Sequence, residues 1–371
     1  MRNNLRIVFC VNRIIMGGIE KILCQYIMGL KKNVLCEITV FSQKKVTEKY
    51  FLDFFKKHEV KLVDDVFEKK PGLFSKLFHS FNKYCKCYRL FNSYDVIIDF
   101  ANFAFHKELP LVNKPKFGWC HGSIMFFDNL MQDSRLAKNI KQYDKIVCLS
   151  DSFLIDFKSK YPELSNKIVR IYNPIDVERL DKEAKENLFE TVKPYFVAVQ
   201  RLDDYDKDIE TIINAFNEFS LSNDKYKLYI VGDGPSKERL MKLSEQNKNI
   251  VFCGQLNNAS QIIKNAEALI LSSTTKWGEG LPVTLVEAQS LKTLTISSNV
   301  KSGPAEILLD GKAGILFEPC NVSQLAVIMN DVVSKNIDTE SIVKTAFDNI
   351  VRFKPENSIS AIKNLFEESR R

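Results

Sequence analysis

Short apolar runs alternate with stretches of helical periodicity along the whole chain, the pattern that βαβ units and a parallel sheet leave in a sequence. In the first half, strands are predicted at RIVFCV (6–11), CEITVF (36–41), DVIIDF (95–100), KFGWCH (116–121) and KIVCLS (145–150). In the second half they are predicted at YFVAVQ (195–200), KLYIVG (227–232), IVFCGQ (250–255), ALILSS (268–273) and TLTISS (293–298). Two sets of strands interleaved with helices predict two doubly wound α/β domains in tandem. The join falls in IYNPIDVERLDKEAKENLFETVKP, where a loop containing Pro174 precedes a strongly charged segment. Open parallel sheets bind ligands outside the carboxyl ends of their strands. The residues that follow each strand are therefore the ones to read for chemistry.

Composition narrows the class. A chain of 371 residues with 45% apolar and 27% charged residues is long enough for two domains with full cores. The apolar run Ile7–Val11 near the N-terminus is too short for a secretory signal and reads as a strand. No run approaches the roughly 18 apolar residues that a membrane span needs. The nine cysteines are scattered, odd in number and without a CxxC pair, which argues against a disulfide framework or a zinc site and for a reducing, cytoplasmic setting. Net charge is +7, unevenly spread: residues 1–176 carry 29 basic and 18 acidic side chains, residues 177–371 carry 24 and 28. The first half is thus expected to face something anionic, a nucleic acid or a lipid surface.

Several strand ends carry candidate chemistry. NRIIMGGIEKIL follows the first strand and places Gly17 and Gly18 just before a helix. There they either let backbone amides approach an anion or simply form a tight turn. The GxGxxG fingerprint of dinucleotide sites is absent. QRLDDYDKDIETIINAF follows the first strand of the second half. Its Arg201 and Lys207 could converge on a diphosphate, or pair with Asp203, Asp204, Asp206 and Asp208 in a surface loop. Asp204-Tyr205-Asp206 spells DxD, but acids directly before a helix are favoured for capping and dipole reasons alone, so no metal is assigned. VGDGP (231–235) reads as a structural strand-to-helix turn.

WGEGLPVTLVEAQ (277–289) holds two glutamates eight positions apart. Pro282 suits the first position of a helix reaching Leu291, which leaves Glu279 in the loop above the helix mouth. Glu287 then lies about 7 Å further along the axis, at 1.5 Å per residue. Apolar residues surround Glu287 on this helix, predicting a buried carboxylate that needs a hydroxyl, a cation or an open cleft.

Together these residues resemble the retaining GT-B glycosyltransferases of family 4, whose E-x7-E motif Glu279-Gly-Leu-Pro through Glu287 matches. GGIE (17–20), YNPID (172–176), RL with KD (201–208), VGDGP, EGLPVTLVEA and GPAEIL (303–308) occur in the family's order, so the resemblance covers nearly the whole chain. It departs where family members commonly carry a Gly-x-Pro-Val turn after the motif helix, since Lys292 and Thr293 stand in those places. The resemblance implies an α/β GT-B fold, two Rossmann-like doubly wound domains facing a central cleft. Residues 1–176 would bind the acceptor and 177–351 the nucleotide-sugar donor, with a helix in 352–371 packing back toward the first domain.

It further implies a retaining hexosyltransferase that moves a sugar from a nucleotide sugar, a UDP-sugar in preference, to a hydroxyl of a glycan or lipid-linked acceptor. The setting would be bacterial lipopolysaccharide, O-antigen or capsule synthesis. Arg201 and Lys207 would grip the diphosphate in place of a metal, and no cofactor is implied. Glu287 would bind the ribose, while Glu279 and His121, from WCHGS, would lie beside the transferred sugar. Gly17, Gly18, Gly280, Leu281 and Val283 would complete the donor site with backbone amides. A lone histidine after a strand is otherwise more often structural.

Residues 69–89 contain six basic side chains and no acid. A helical wheel sets Phe74, Leu77, Phe78, Phe81, Tyr84, Cys85 and Tyr88 against Lys76, His79, Lys83 and Lys86. The aromatic face suits packing on the sheet. The basic face suggests peripheral contact with the anionic cytoplasmic leaflet of the inner membrane through Lys76, Lys83 and Lys86. Two other classes fit the sequence less well. A non-enzymatic binding module for nucleic acid or an anionic surface is motivated by charge alone, and nothing matches an RNA or DNA motif. A GT-B sugar-nucleotide epimerase would not present the EGLP pattern.

Overall fold

The computed structural model describes residues 4–64, 87–109, 112–186 and 189–369. Lys76, Lys83 and Lys86, with most of the 69–89 segment, lie outside them. The chain divides into two compact units, residues 1–174 with 355–371, and residues 175–354.

The first unit is built on a parallel sheet of β1 (Leu5–Val11), β2 (Cys36–Ser42), β3 (Lys61–Val63), β4 (Val96–Asp99), β5 (Lys116–Trp119), β6 (Lys145–Cys148) and β7 (Ile168–Arg170). Their order is β3-β2-β1-β4-β5-β6-β7. Chain order reverses direction at β1, so the carboxyl ends of β1 and β4 open onto the switch point where doubly wound sheets hold ligands. β1 and β4 are buried along almost their full length, as central parallel strands covered on both faces must be. The C-terminal helix Pro355–Glu368 belongs to this unit. It packs on the helix Gly18–Asn33, with Ile359 against Gly29 and Ser358 Oγ donating to the Tyr172 carbonyl at 2.7 Å.

The second unit carries β8 (Tyr195–Val199), β9 (Lys227–Val231), β10 (Ile250–Gly254), β11 (Ala268–Leu271), β12 (Leu294–Ser298) and β13 (Ile315–Phe317), again all parallel. Their order is β10-β9-β8-β11-β12-β13, which sets the switch point between β8 and β11. The helix Ile209–Ser220 buries Ile209, Ile212, Ile213, Phe216 and Phe219 on one side, the 3.6-residue stripe that its sequence spells. Asp208 caps it, accepting from Thr211 N at 3.2 Å.

All ten sequence-predicted strands are present, each ending within two residues of its predicted end. β3, β7 and β13 were not predicted. Each is a three-residue edge strand, too short for alternation or an apolar run to register. Lys292 adopts φ 60°, making the turn after the 283–290 helix with a lysine where the resembled family uses glycine. Thr293 N closes that turn on the Ala288 carbonyl at 2.9 Å, and the Lys292 ammonium rests 4.6 Å from the Phe347 ring centroid.

Candidate functional site

The site assembles where the loops after β8 and β11 meet. Main-chain pairing ties them together: Lys207 and Ser273 form an antiparallel bridge, Asp208 N donates to Ser272 O at 3.1 Å, and Thr274 N to Asp206 O at 3.1 Å. Two glycine positions fix the approach of neighbouring loops. A Cβ on Gly232, which has φ +145°, would lie 2.0 Å from the Gln200 carbonyl oxygen, so VGDGP is the floor on which the 200–202 segment runs. A Cβ on Gly303 would lie 2.5 Å from Pro282 Cδ and 2.6 Å from Gly280 O. GPAEIL therefore packs directly beneath the Glu279–Pro282 loop.

Lys207 and Glu279, seventy-two residues apart, form an ion pair, and Ser273 Oγ donates to the same carboxylate oxygen. The two side chains are 18% and 13% exposed, largely withdrawn from water. Glu279 is further fixed through its backbone, by its N–H to Lys301 O at 3.2 Å and by Gly303 N to its carbonyl at 3.3 Å. The sequence placed Glu279 over a helix mouth but gave no sign that Lys207 and Ser273 would hold it there. Ser273 follows β11 as an unremarked hydroxyl, and the fold of its own loop brings Glu279, six residues on, back to it.

Arg201 sits differently. Its guanidinium is 53% exposed and pairs with Asp203 at 2.7 Å and Asp206 at 3.1 Å, so of the two sequence readings of this cation the structure displays the surface pairing. Such pairs contribute little to stability and leave the arginine able to change partners. Asp204 pairs with Arg239 at 2.8 Å, which commits both DxD carboxylates to arginines. Among the described residues no cluster of three or more His, Cys, Asp or Glu is arranged to hold a metal ion.

The motif helix runs Val283–Ser290, with Pro282 as the residue before its first turn instead of the first helical one. The φ of Pro282, −68°, would suit a helix, but its ψ of 97° leaves the chain extended there. No side chain caps the N-terminus, so its first amides are not taken by a capping group. Glu287 is half-buried, a correction to the expectation of a fully buried carboxylate: the helix buries Leu285, Val286, Ala288, Gln289 and Ser290, and Glu287 falls between them on the more open side. Gly280 and Leu281 are buried and Val283 half-buried.

In the first unit, Gly17 precedes the helix Gly18–Asn33 with extended backbone, and Gly18 is exposed with open space at its Cβ position. The mouth of this helix is filled by Glu20, whose carboxylate accepts from its own N–H and that of Ile15. Burial outweighs those bonds and pushes its pKa up to about 7. His121 follows β5, and its N–H donates to Asn102 Oδ1 at 2.6 Å. Its ring meets Phe100 edge to face, 4.4 Å between centroids, and hydrogen-bonds the Phe100 carbonyl. The residue keeps some surface, but Nε2 is shielded from water and has no hydrogen-bond partner among the described residues. Enclosure of the ring lowers its pKa to about 4 and keeps it neutral at pH 7.

The loop that presents Asn102 was not singled out from sequence. Buried Asp99 anchors it, accepting from Ala101 N, Phe105 N and Tyr143 Oη at 3.1, 3.0 and 2.7 Å, and burial raises its pKa to about 6. Asn102 and Phe103 take φ 52° and 65°. Left-handed backbone at consecutive non-glycine residues persists only where its surroundings hold it.

Residues 180–348 match the family model of Glycosyl transferases group 1. An uncharacterized glycosyltransferase of Methanocaldococcus jannaschii is 27% identical over 56% of this chain and 56% of its own length. The lipopolysaccharide 1,6-galactosyltransferase of Salmonella typhimurium is 27% identical over 45% of this chain and 46% of its own. The chain thus spans about half the length of these relatives. Among solved structures, Anabaena Alr3699/HepE in complex with UDP and glucose superposes with a TM-score of 0.80, at 17% identity, over 98% of this chain and 100% of that one. The fold is GT-B, two Rossmann-like α/β domains, and the match to the Glycosyl transferases group 1 model falls within the second of them.

Proposed function

We infer that this chain is a retaining glycosyltransferase of the family 4, E-x7-E type. It would transfer a sugar from a nucleotide sugar, UDP-linked in preference, to a hydroxyl of a glycan or lipid-linked acceptor in bacterial cell-surface polysaccharide synthesis. The observation that carries this reading is the Lys207–Glu279–Ser273 cluster at the switch point between β8 and β11, beside an uncapped helix N-terminus. A cation, a helix mouth and a half-buried glutamate on one helix suit a diphosphate with a ribose attached. The Salmonella relative's name, a lipopolysaccharide galactosyltransferase, supports the setting.

In this reading the bond between the sugar's anomeric carbon and the diphosphate oxygen breaks while the acceptor oxygen bonds to that carbon on the same face and passes its proton to the departing diphosphate oxygen. Negative charge collects on the departing diphosphate. Lys207, Arg201 on release from its aspartates, and the amides at Gly280, Leu281 and Val283 stabilise it without a metal, because they are already oriented when the charge develops. Glu287 accepts from ribose hydroxyls. Glu279, held by Lys207, hydrogen-bonds the transferred sugar; the family resemblance gives the same role to His121, whose Nε2 has no hydrogen-bond partner among the described residues. Gly17 and Gly18 would admit the diphosphate only where the Glu20 carboxylate gives way.

The test is a thermal-shift panel of UDP, GDP and ADP sugars with EDTA present. A UDP-sugar should raise the melting temperature, since a ligand that binds only the native state stabilises it, and Lys207→Ala should abolish the rise. No shift with any nucleotide sugar overturns the reading. No helix among the described residues is long and apolar enough to cross a membrane. Peripheral contact through Lys76, Lys83 and Lys86 is part of the proposal on sequence grounds, and co-sedimentation with anionic liposomes tests it.

A further inference from the structure

Both carboxylates that hold Arg201 sit on the same guanidinium nitrogen. Asp203 Oδ2 lies 2.7 Å and Asp206 Oδ2 3.1 Å from Nη2. A guanidinium offers an oxyanion two bidentate edges, Nε with Nη2 along its side and Nη1 with Nη2 at its end. Nη2 belongs to both. A diphosphate can therefore take neither fork of Arg201 while the two aspartates stay where they are.

The main chain around this cluster is tied down, so only side chains can make room. Gln200 N donates to Val231 O at 3.1 Å, Leu202 N to Asp233 O at 3.0 Å, Lys207 N to Asp203 O at 2.9 Å and Thr274 N to Asp206 O at 3.1 Å. Asp203 is also set from its other oxygen, which accepts from Tyr205 N at 3.1 Å. The pairs themselves are weak, because Arg201 stands half in solvent and water screens them. Asp204 lies in the same loop but is bound to Arg239 at 2.8 Å.

We propose that Asp203 and Asp206 are resident counter-ions of the donor site. They occupy Arg201 when the site is empty, yield it to the diphosphate of the nucleotide sugar, and take it back when the nucleoside diphosphate leaves. The proposal rests on the glycosyl-transfer reading above and lies wholly within the second unit. It gives the acids of DDYD a role other than metal binding: each carboxylate on Arg201 lowers donor affinity by the strength of its own pair and eases release of the product.

The experiment titrates UDP, GDP and ADP into wild type by calorimetry with EDTA present, then measures the affinity of the variants for the nucleotide that binds. Asparagine keeps the oxygen that the Tyr205 N–H needs and removes the charge. Asp203→Asn and Asp206→Asn should each bind about threefold more tightly than wild type, the scale of one exposed ion pair. Asp204→Asn should not, because its carboxylate belongs to Arg239. In an Arg201→Ala background Asp206→Asn should bring no gain, since there is no guanidinium left to free. An equal gain from Asp204→Asn, or a gain that survives Arg201→Ala, would reduce the effect to the overall charge of the loop and overturn the proposal. Unchanged or weaker binding in either Asp203→Asn or Asp206→Asn overturns it as well, weaker binding making the carboxylates supports that orient Arg201 instead of competitors for it. A wild type that binds none of the three nucleotides overturns the glycosyl-transfer reading itself.

Discussion

Removing the Lys207 ammonium should strand a carboxylate that the fold has largely withdrawn from water. Glu279 is 13% exposed and receives Lys207 and Ser273 on one oxygen. In Lys207→Met a single hydroxyl donor would remain. Breaking a fully buried pair costs about 3–5 kcal/mol. The residual exposure of both side chains lowers the expectation here to about 2–3 kcal/mol. Glu279→Gln keeps an acceptor for Ser273 and leaves a flexible ammonium that can reach solvent, at about 1–2 kcal/mol. The double variant has no unpaired charge, so its loss should fall short of the sum of the single losses by at least about 1 kcal/mol. Urea denaturation of wild type and the three variants without nucleotide measures this. Additivity within about 0.3 kcal/mol would refute the argument that the two charges stabilise each other. The same variants report on function. If Lys207 stands between Glu279 and a diphosphate, Lys207→Met leaves two anions facing each other. The added Glu279→Gln should then recover part of the lost UDP affinity. A double variant that binds UDP no better than Lys207→Met would sink that picture.

Three further outcomes follow from the geometry. His121, with its pKa lowered to about 4 from an unfolded value near 6.5, contributes stability present above pH 6.5 and lost as pH falls through 4. Asp99, raised to about 6 from near 3.9, contributes stability present below pH 4 and lost as pH rises through 6. Each is worth on the order of 3 kcal/mol and they oppose. Between pH 4 and 6.5, His121→Asn should therefore make the protein more stable on acidification and Asp99→Asn should steepen its acid loss, read from urea midpoints across that range. Gly303→Ala puts a methyl within 3.0 Å of the Leu281 Cα and closer still to Gly280 O, so it should cost about 1–3 kcal/mol and weaken UDP binding as the loop shifts. Sugar transfer should survive EDTA, whereas a loss restored by Mn²⁺ would reassign Asp204 and Asp206 from their arginines to a metal.

Local signals carried much of the fold. The strand pattern was legible because a central parallel strand, covered on both faces, reads as an unbroken apolar run, as Ile7–Val11 and Ala268–Leu271 do. Edge strands such as Ile315–Phe317, with only one paired side and three residues, leave no such trace. The helix Ile209–Ser220 and its Asp208 cap were written in the sequence, since stripe and cap are both set within one or two turns.

Part of the candidate site was legible for the same reason. Glu279, Pro282 and Glu287 lie on one continuous segment, and Arg201 with Lys207 on another. What the sequence could not contain is which of these charges meet. Lys207 joins Glu279 because the sheet order β10-β9-β8-β11-β12-β13 lays the β8 and β11 loops side by side, while Arg201 turns to Asp203 and Asp206 within its own loop. Tyr205 becomes a neighbour of Trp277 by that same adjacency, and the fold of the loop after β11 turns Ser273 onto Glu279, six residues on. Burial is also a tertiary property: apolar neighbours in sequence suggested an enclosed Glu287, yet the packing leaves it half open, while Asp99, in an ordinary-looking strand end, is sealed completely. Propensity and periodicity act over a few residues and so are determined by the sequence directly. Pairing, exposure and the resulting pKa values depend on which distant segments exclude water from one another, and only the folded chain decides that.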